Sequence, residues 1–567
     1  MKTKSTYLFF LFTLGLLANI SAQELIAEYP FDQNSLSGDY LMDISGNENN
    51  ALCSGNLIFD PDRNDAFGAA VNLGEGYFLT VNENANAQTM ISKITQHLVV
   101  TSCLLMTAFC PGNAQIYVNI NSGCSAECDG SSWEKAFADL QDALAVATNG
   151  DQVWVAQGIY IPHTTDRTVF FRLNDGVQLY GGFNGTETAL EERDYENNVT
   201  ILSADLNGDD GLFFENNEEN AHTLVYTLNV SNNTILDGFT LFGANANGDP
   251  GATLEKKSGG GFFNDIIWGT NGISSPVIRN CIFDSNYALL EGGGLFNSGS
   301  VGENYTLIYN CVFINNEAEI GGAIYNGGNN GVCNAEIINT RFISNNARQT
   351  GGGIYNFVLN GGEVSPKITN CIFMNNTAGS AAGYYSLTFG GTSLSTITNC
   401  VFYGNNATNG GALYLNTSAD GTNEATVNNS IFWGSISGFD PHFHFSGSGD
   451  PQVHLSNSLV DAPDCGGLVA GDHVVDCGQG IKYNEDPLFV NAEEGDFHVM
   501  EGSPAIDAGS NAAIEATGVM VDIDGEDRIL QNIVDLGVDE WMIMTQDDDG
   551  DIRIKHVPAA LPIPLVN

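Results

Sequence analysis

The strongest constraint on this chain is one phrase written six times through its middle. It reads Asn280-Cys-Ile-Phe283, Asn310-Cys-Val-Phe313, Asn339-Thr-Arg-Phe342, Asn370-Cys-Ile-Phe373, Asn399-Cys-Val-Phe402 and Asn429-Ser-Ile-Phe432. Successive phenylalanines lie 30, 29, 31, 29 and 30 residues apart. Asparagine follows three residues after each of the first five: Asn286, Asn316, Asn345, Asn376 and Asn405. A small-residue pair and an apolar-aromatic step then recur, from Gly260-Gly-Phe-Phe263 to Gly411-Ala-Leu-Tyr414. A fixed period of this size means stacked units, each burying its apolar face on its neighbours.

The unit reads as β. Its apolar runs are short, rich in Val, Ile, Phe, Tyr and Thr, and broken every few residues by Gly and Asn. The 66 glycines suit a backbone that turns often and enters left-handed conformations. At about 3.3 Å per residue, about 30 residues supply three short strands and three turns, one coil of a parallel β-helix. Equivalent side chains of neighbouring coils then form ladders, and Asn suits a tight left-handed corner. Phe283, Phe313, Phe342, Phe373 and Phe402 are expected in one inward column.

These residues also carry a resemblance. Phe-x-x-Asn followed by the Gly-rich step is similar to the repeat of polymorphic outer-membrane proteins. Asp486-Pro-Leu-Phe-Val490, Gly502 through Gly509 and Val534 through Glu540 resemble the choice-of-anchor module that ends many secreted β-helices. Gly130 through Phe137, Leu140 through Leu144, Val153 through Tyr160 and Tyr180 through Thr188 resemble the opening of the same family. The resemblance covers residues 115 to about 540. It implies an all-β, right-handed, pectate-lyase-like solenoid; the period alone does not give the hand. Ser131-Ser-Trp-Glu134 followed by Trp133, Phe137, Leu140 and Leu144 at helical spacing reads as a short N-terminal capping helix. The module after Asp486 is expected to close the other end, because an uncovered solenoid end exposes unpaired strands.

The chain divides into segments at its ends. Residues 1–22 read as a signal peptide: Lys2 and Lys4, an apolar run from Leu8 to Leu17, then Ile20-Ser-Ala22. Residues 23–89 resemble the first strands of a laminin-G or concanavalin-like lectin domain, truncated. Residues 90–114 read as a second export signal, with Lys93 before an apolar run from His97 to Cys110. The solenoid with its cap follows at 115–485, the anchor-like module at 486–541, and an acidic, proline-containing tail at 542–567. The expected location is secreted or extracellular, with the cell outer-membrane surface left open.

Sixty-eight acidic residues against 18 basic ones give a net charge of −50, which argues against nucleic acid and anionic membranes as partners. No later segment reaches the roughly 18 apolar residues a membrane-spanning helix needs. Cysteines in an exported chain raise disulfides, and Cys124 with Cys128 and Cys465 with Cys477 are the local candidates. Cys281, Cys311, Cys371 and Cys400 share one repeat position and read as a buried ladder of free thiols. No cofactor and no metal site is assigned. Calcium stays open at the acidic turns Asp205-Leu-Asn-Gly-Asp209, Asp522-Ile-Asp-Gly-Glu-Asp527 and Asp547-Asp-Asp-Gly-Asp551, for which solvated turns are the preferred reading. The first of these lacks a clearly placed later glutamate.

No catalytic constellation is legible. Basic residues in the repeats are confined to Arg279, Arg341, Arg348 and Lys367, and Arg553-Ile-Lys555 lies in the tail. The aromatic series Phe263, Phe296, Tyr325, Tyr355, Tyr385 and Tyr414 has two readings. Strand alternation turns it away from the column Phe262, Leu295, Ile324, Ile354, Tyr384 and Leu413. If it is exposed, it is a ladder for stacking on sugar rings; otherwise it packs beneath loops between coils. The expected function is a non-catalytic, adhesin-like surface protein with a glycan or cell-surface partner. A polysaccharide lyase or glycoside hydrolase and a structural stalk are the alternatives.

Overall fold

The computed structural model describes residues 114–541, apart from 125–126, 212–213, 268–271, 419, 470–472, 474 and 531. It also describes five short strands nearer the N-terminus. Three of these, Leu36–Ser37, Tyr40–Leu41 and Ala51–Leu52, form one antiparallel sheet; Ala69–Asn72 and Phe78–Val81 form another. They belong to a compact unit, Met1–Gly112, separate from the unit that begins at Asn113. Both export-signal readings, and the tail with Arg553, Lys555 and Asp547 through Asp551, lie outside the described residues.

From Gln115 onward the backbone winds as a parallel β-solenoid. One coil shows the plan. Leu307–Tyr309 is followed by Asn310 at φ 51°, Val312–Ile314, Asn315 at φ 56°, Glu317–Ile320, Gly321 at φ 65° and Ile324–Asn329. Each strand pairs in parallel with its equivalent one coil on, such as Phe313 with Phe342 and Tyr325 with Tyr355. Among the described residues this builds sheets of twelve, eleven, nine and seven strands. The coil therefore has four principal strands where three were expected. The stretch after each Phe-x-x-Asn is itself extended, and it pairs laterally into the seven-stranded sheet.

The repeated phrase has two kinds of asparagine. Asn280, Asn310, Asn339, Asn370, Asn399 and Asn429 hold the left-handed corner, with φ between 50° and 54°. A β-branched or bulky residue would be strained there, and asparagine is tolerated. Asn286, Asn316, Asn345, Asn376 and Asn405 are instead fully buried and bond one another along the axis. Each also gives an amide hydrogen to a carbonyl of the preceding coil, Asn286 to Leu241 O and the other four to phenylalanine, as Asn316 Nδ2 does to Phe283 O at 2.9 Å. Between these ladders run the expected phenylalanines, all fully buried, with ring centroids 4.4, 5.3, 4.6 and 4.4 Å apart from Phe283 to Phe402. Cys281, Cys311, Cys371 and Cys400 are buried free thiols.

The N-terminal cover differs from the expected helix. Trp133–Lys135 is one 3-10 turn, and the α-helix is confined to Leu140–Val146, with the Asp139 carboxylate accepting from Gln141 N. The reason is competition for hydrogen bonds. Phe137 N donates to Tyr117 O and Phe137 O accepts from Asn119 N, so residues 136–137 cover the open edge of the first strand and break the helix. Leu140, Ala143 and Leu144 then seal the end of the core. Ala114 is already tied in, through its N–H to Asp151 and its carbonyl to Gln152 N, so the fold starts one residue before the expected boundary.

The C-terminal segment also departs from expectation. Residues 486–541 do not cover the end of the solenoid; they run back along its flank. Phe497, Val499, Leu536 and Val538 pack on Ile372, Val401 and Ile431 of the eleven-stranded sheet. Corner asparagines hold the segment in place. Asn339 donates to Asp522 O, Asn370 to Val521 O, Asn399 to Asp535 O and Gly537 O, and Asn429 to Ser510 O. The outer apolar residues of that sheet, such as Ile372 and Val401, would otherwise face water. Covering them removes that apolar surface from water.

Candidate functional site

The aromatic series is not an exposed platform. Phe263, Phe296, Tyr325, Tyr355 and Tyr385 are between 1 and 8% exposed, and Tyr414 is half-buried. They do face away from the main core, and they form their own cluster with Ile320, Phe357 and Leu387. In-register stacking explains why they cannot serve as expected. From Phe263 to Tyr385 the rings lie face to face at 4.5, 5.1, 5.6 and 5.1 Å, so each spends both faces on its neighbours. Burial pushes the Tyr385 hydroxyl up to about 12 and raises those of Tyr325 and Tyr355 as well. The disulfide candidates are joined: Cys124 to Cys128 and Cys465 to Cys477, with Cα separations of 5.9 and 6.3 Å.

The open concave surface lies instead on the seven-stranded sheet. Its strands put Asn245, Tyr287, Glu317, Asn346, Thr377, Asn406 and Ile436 in one register column. The next residue of nearly every strand is alanine, from Ala246 to Ala407, a small side chain that lets the sheet sit close to the solenoid wall. A shallow groove of about 420 Å³ runs across four of these strands. Asn346, Thr377 and Asn406 line one side and Arg348, Gly379 and Thr408 the other, ending at Gly438. Three interstrand steps make it about 14 Å long.

One end is fixed by a polar cluster. Arg348 donates to Tyr287 OH at 2.7 Å, Leu289 O at 2.7 Å and Glu317 Oε1 at 3.3 Å, with its guanidinium 5.1 Å from the Tyr287 ring centroid. Asn346 donates to Glu317 Oε2, and Thr377 donates to Asn346 Oδ1. At the other end Ile436 and Phe439 are 62 and 63% exposed. Between them, the Asn406 amide and Thr408 hydroxyl make no side-chain hydrogen bond among the described residues. The groove thus offers unused amide and hydroxyl groups beside exposed apolar surface, with its one cation balanced by Glu317. The sequence carried a signal for it: the residue after each ladder asparagine is Tyr287, Glu317, Asn346, Thr377 and Asn406, always able to hydrogen bond.

Other polar groups are structurally engaged. Asp237, fully buried, pairs with Arg193 and Arg279 at 2.6 Å each. Arg341 lies 3.8 Å from Asp524 under the C-terminal segment. Beside it, His498 touches Asp496 at 2.6 Å and Asp524 at 2.9 Å, and these hydrogen bonds raise it to about 10. His498, Asp524 and Asp539 could hold a metal by their spacing. Here the imidazolium itself supplies the positive charge. A second acidic group joins Asp205, Asp209 and Glu219.

No protein-family model and no curated protein matches the chain. Among solved structures it is similar to the crystal structure of pectate lyase Pel9A, at 12% identity over 76% of this chain and 96% of that one, with a TM-score of 0.38. The solenoid itself rests on the strand pairing. Among the described residues, no helix is long and apolar enough to cross a membrane.

Proposed function

We propose that this protein is an exported, non-catalytic solenoid that binds an extended neutral polymer, a glycan chain or a cell-surface equivalent, along the groove of the seven-stranded sheet. The observation that carries the reading is the groove's lining: Thr377, Asn406 and Thr408 offer hydroxyl and amide groups in register, flanked by exposed Ile436 and Phe439. Successive coils place a hydrogen-bonding side chain at the same register position, Asn346, Thr377 and then Asn406, which suits a repetitive ligand. Because the strands are held on both sides by ladders, little ordering accompanies binding. Export is supported by the two joined cysteine pairs, which belong in oxidising compartments, and by the signal-like residues 1–22. The repeat and anchor resemblances favour display at a cell surface.

A glycan array with wild-type protein and a Thr377→Ala/Asn406→Ala double variant tests this. Both side chains are exposed, so the variant should keep its unfolding midpoint while binding falls at least about tenfold, as expected for two lost hydrogen bonds. Unchanged binding would move the contact elsewhere. Release of unsaturated or reducing ends from pectin or alginate by the wild-type protein, with calcium present, would replace the non-catalytic reading with the lyase or hydrolase alternative.

A further inference from the structure

Asp205-Leu-Asn-Gly-Asp209 has oxygen-bearing side chains at alternate positions but no later glutamate clearly placed by the sequence. The fold supplies one. Glu219 comes back beside the loop, so that one oxygen each of Asp205, Asp209 and Glu219 lie within 4.8 Å of one another.

A second observation is independent of this clustering. Asn220 is fully buried, and its Nδ2 donates to Asp210 Oδ2 at 2.7 Å and Gly243 O. Among the described residues its Oδ1 is buried with no hydrogen-bond partner, as are Asp210 Oδ1 and Glu219 Oε1. Buried acceptors are nearly always satisfied, so Asn220 Oδ1 and Asp210 Oδ1, next to a three-carboxylate cluster whose Glu219 Oε1 is also unpaired, point to a cationic partner. Arg167 does not fill the role, because its donors go to Asn220 O, Asn245 O and Asn247 Oδ1. The Asp205 carboxylate is pre-set by N–H groups of Asn207, Gly208, Asp209 and Asp210. Only the last of these reaches Oδ2, and a carboxylate has about four acceptor sites in all, so Oδ2 keeps a free lone pair.

We infer that Asp205, Asp209, Asp210, Glu219 and the Asn220 amide oxygen form a calcium site. The donors are all oxygen, the set that hard cations take. Ligand chemistry selects between them. Calcium accepts six to eight oxygens in an irregular shell at about 2.3–2.6 Å, and three carboxylate oxygens within 4.8 Å of one another can share such a shell. Magnesium demands near-octahedral geometry at about 2.0–2.1 Å and keeps several of its waters, so a mixed set of protein oxygens suits it less.

The test is calorimetric titration of the chelator-stripped full chain with calcium chloride at physiological salt. Asp209 is exposed, and its carboxylate makes no hydrogen bond among the described residues, so Asp209→Asn should fold normally. An Asp209→Asn/Glu219→Gln variant should bind calcium at least tenfold more weakly at one site. A Glu493→Gln/Glu494→Gln control removes the same two charges from an exposed turn and should bind as wild type does. If the double variant fails to fold, Asp209→Asn alone is read in the same way. The inference is overturned if wild type takes up no calcium at about 5 mM, above the weak extracellular range. It is overturned equally if magnesium binds as well, or if the control loses as much as the variant.

Discussion

Asn315 and Asn316 are neighbours of one residue type with opposite roles, and substituting each separates them. Asn316 is fully buried, and its Oδ1 accepts from the Asn286 backbone N–H at 3.1 Å and from Asn286 Nδ2 at 3.0 Å. In Asn316→Leu the shape is nearly kept, while both donors lose their acceptor inside the solenoid. At about 1–3 kcal/mol for each orphaned donor, the loss should be about 2–6 kcal/mol. The next rung is less affected, because Asn345 Oδ1 still accepts from the Asn316 backbone N–H at 3.1 Å. Asn315 is exposed at φ 56°, a corner that glycine also occupies, so Asn315→Gly should stay within about 0.5 kcal/mol of wild type. Urea unfolding followed by tyrosine and tryptophan fluorescence reads the stability change, and hydrogen exchange reads the Asn286 amide directly. An Asn316→Leu protein within about 1 kcal/mol of wild type, with the Asn286 amide still protected, would refute the ladder as a stabilising element.

Phe342→Ala, in the middle of the buried ring column, should cost about 3–5 kcal/mol in the same unfolding experiment; a loss below about 1 would mean the column packs loosely. Tyr355→Ala/Tyr385→Ala should also lower stability by several kcal/mol, whereas Tyr355→Phe should be nearly silent, since it keeps the stacked ring and removes a hydroxyl that makes no hydrogen bond among the described residues. A chain beginning at Asn113 should unfold at the same midpoint as one beginning at Gln23; a large drop would show that residues 23–112 support the solenoid. Raised pH should loosen the C-terminal segment. His498 is held up at about 10, Glu540 is pushed by burial to about 8 and Asp539 to about 7, so each binds its proton more tightly when folded. Their contributions are whole below the unfolded values and are lost as pH climbs through the folded ones. Protease cleavage within 486–541 should therefore rise between about pH 4.5 and 10, and His498→Gln should flatten its alkaline part; a pH-independent profile would contradict the assignment.

The sequence by itself determined the solenoid, its period and its inward column. A spacing of about 30 residues with phenylalanine, cysteine and asparagine in phase leaves few ways to bury those side chains other than stacking like on like. It also placed the two cysteine pairs, because a short Gly- and Asp-rich stretch between two cysteines brings them together locally. Four things were decided only by the folded chain. Alternation correctly turned Tyr325, Tyr355 and Tyr385 away from the main core. Exposure, however, depends on what covers a face, and here the neighbouring rings and loops cover it. The groove leaves no repeated letter, because Asn346, Thr377 and Asn406 differ from coil to coil; only their shared ability to hydrogen bond marks the position in the sequence, and its openness came from the fold. The flank position of residues 486–541, and the meeting of Asp205 with Glu219, are long-range outcomes. They follow from which outer surface was apolar enough to need cover and from where a loop closes, and neither is written in local pattern.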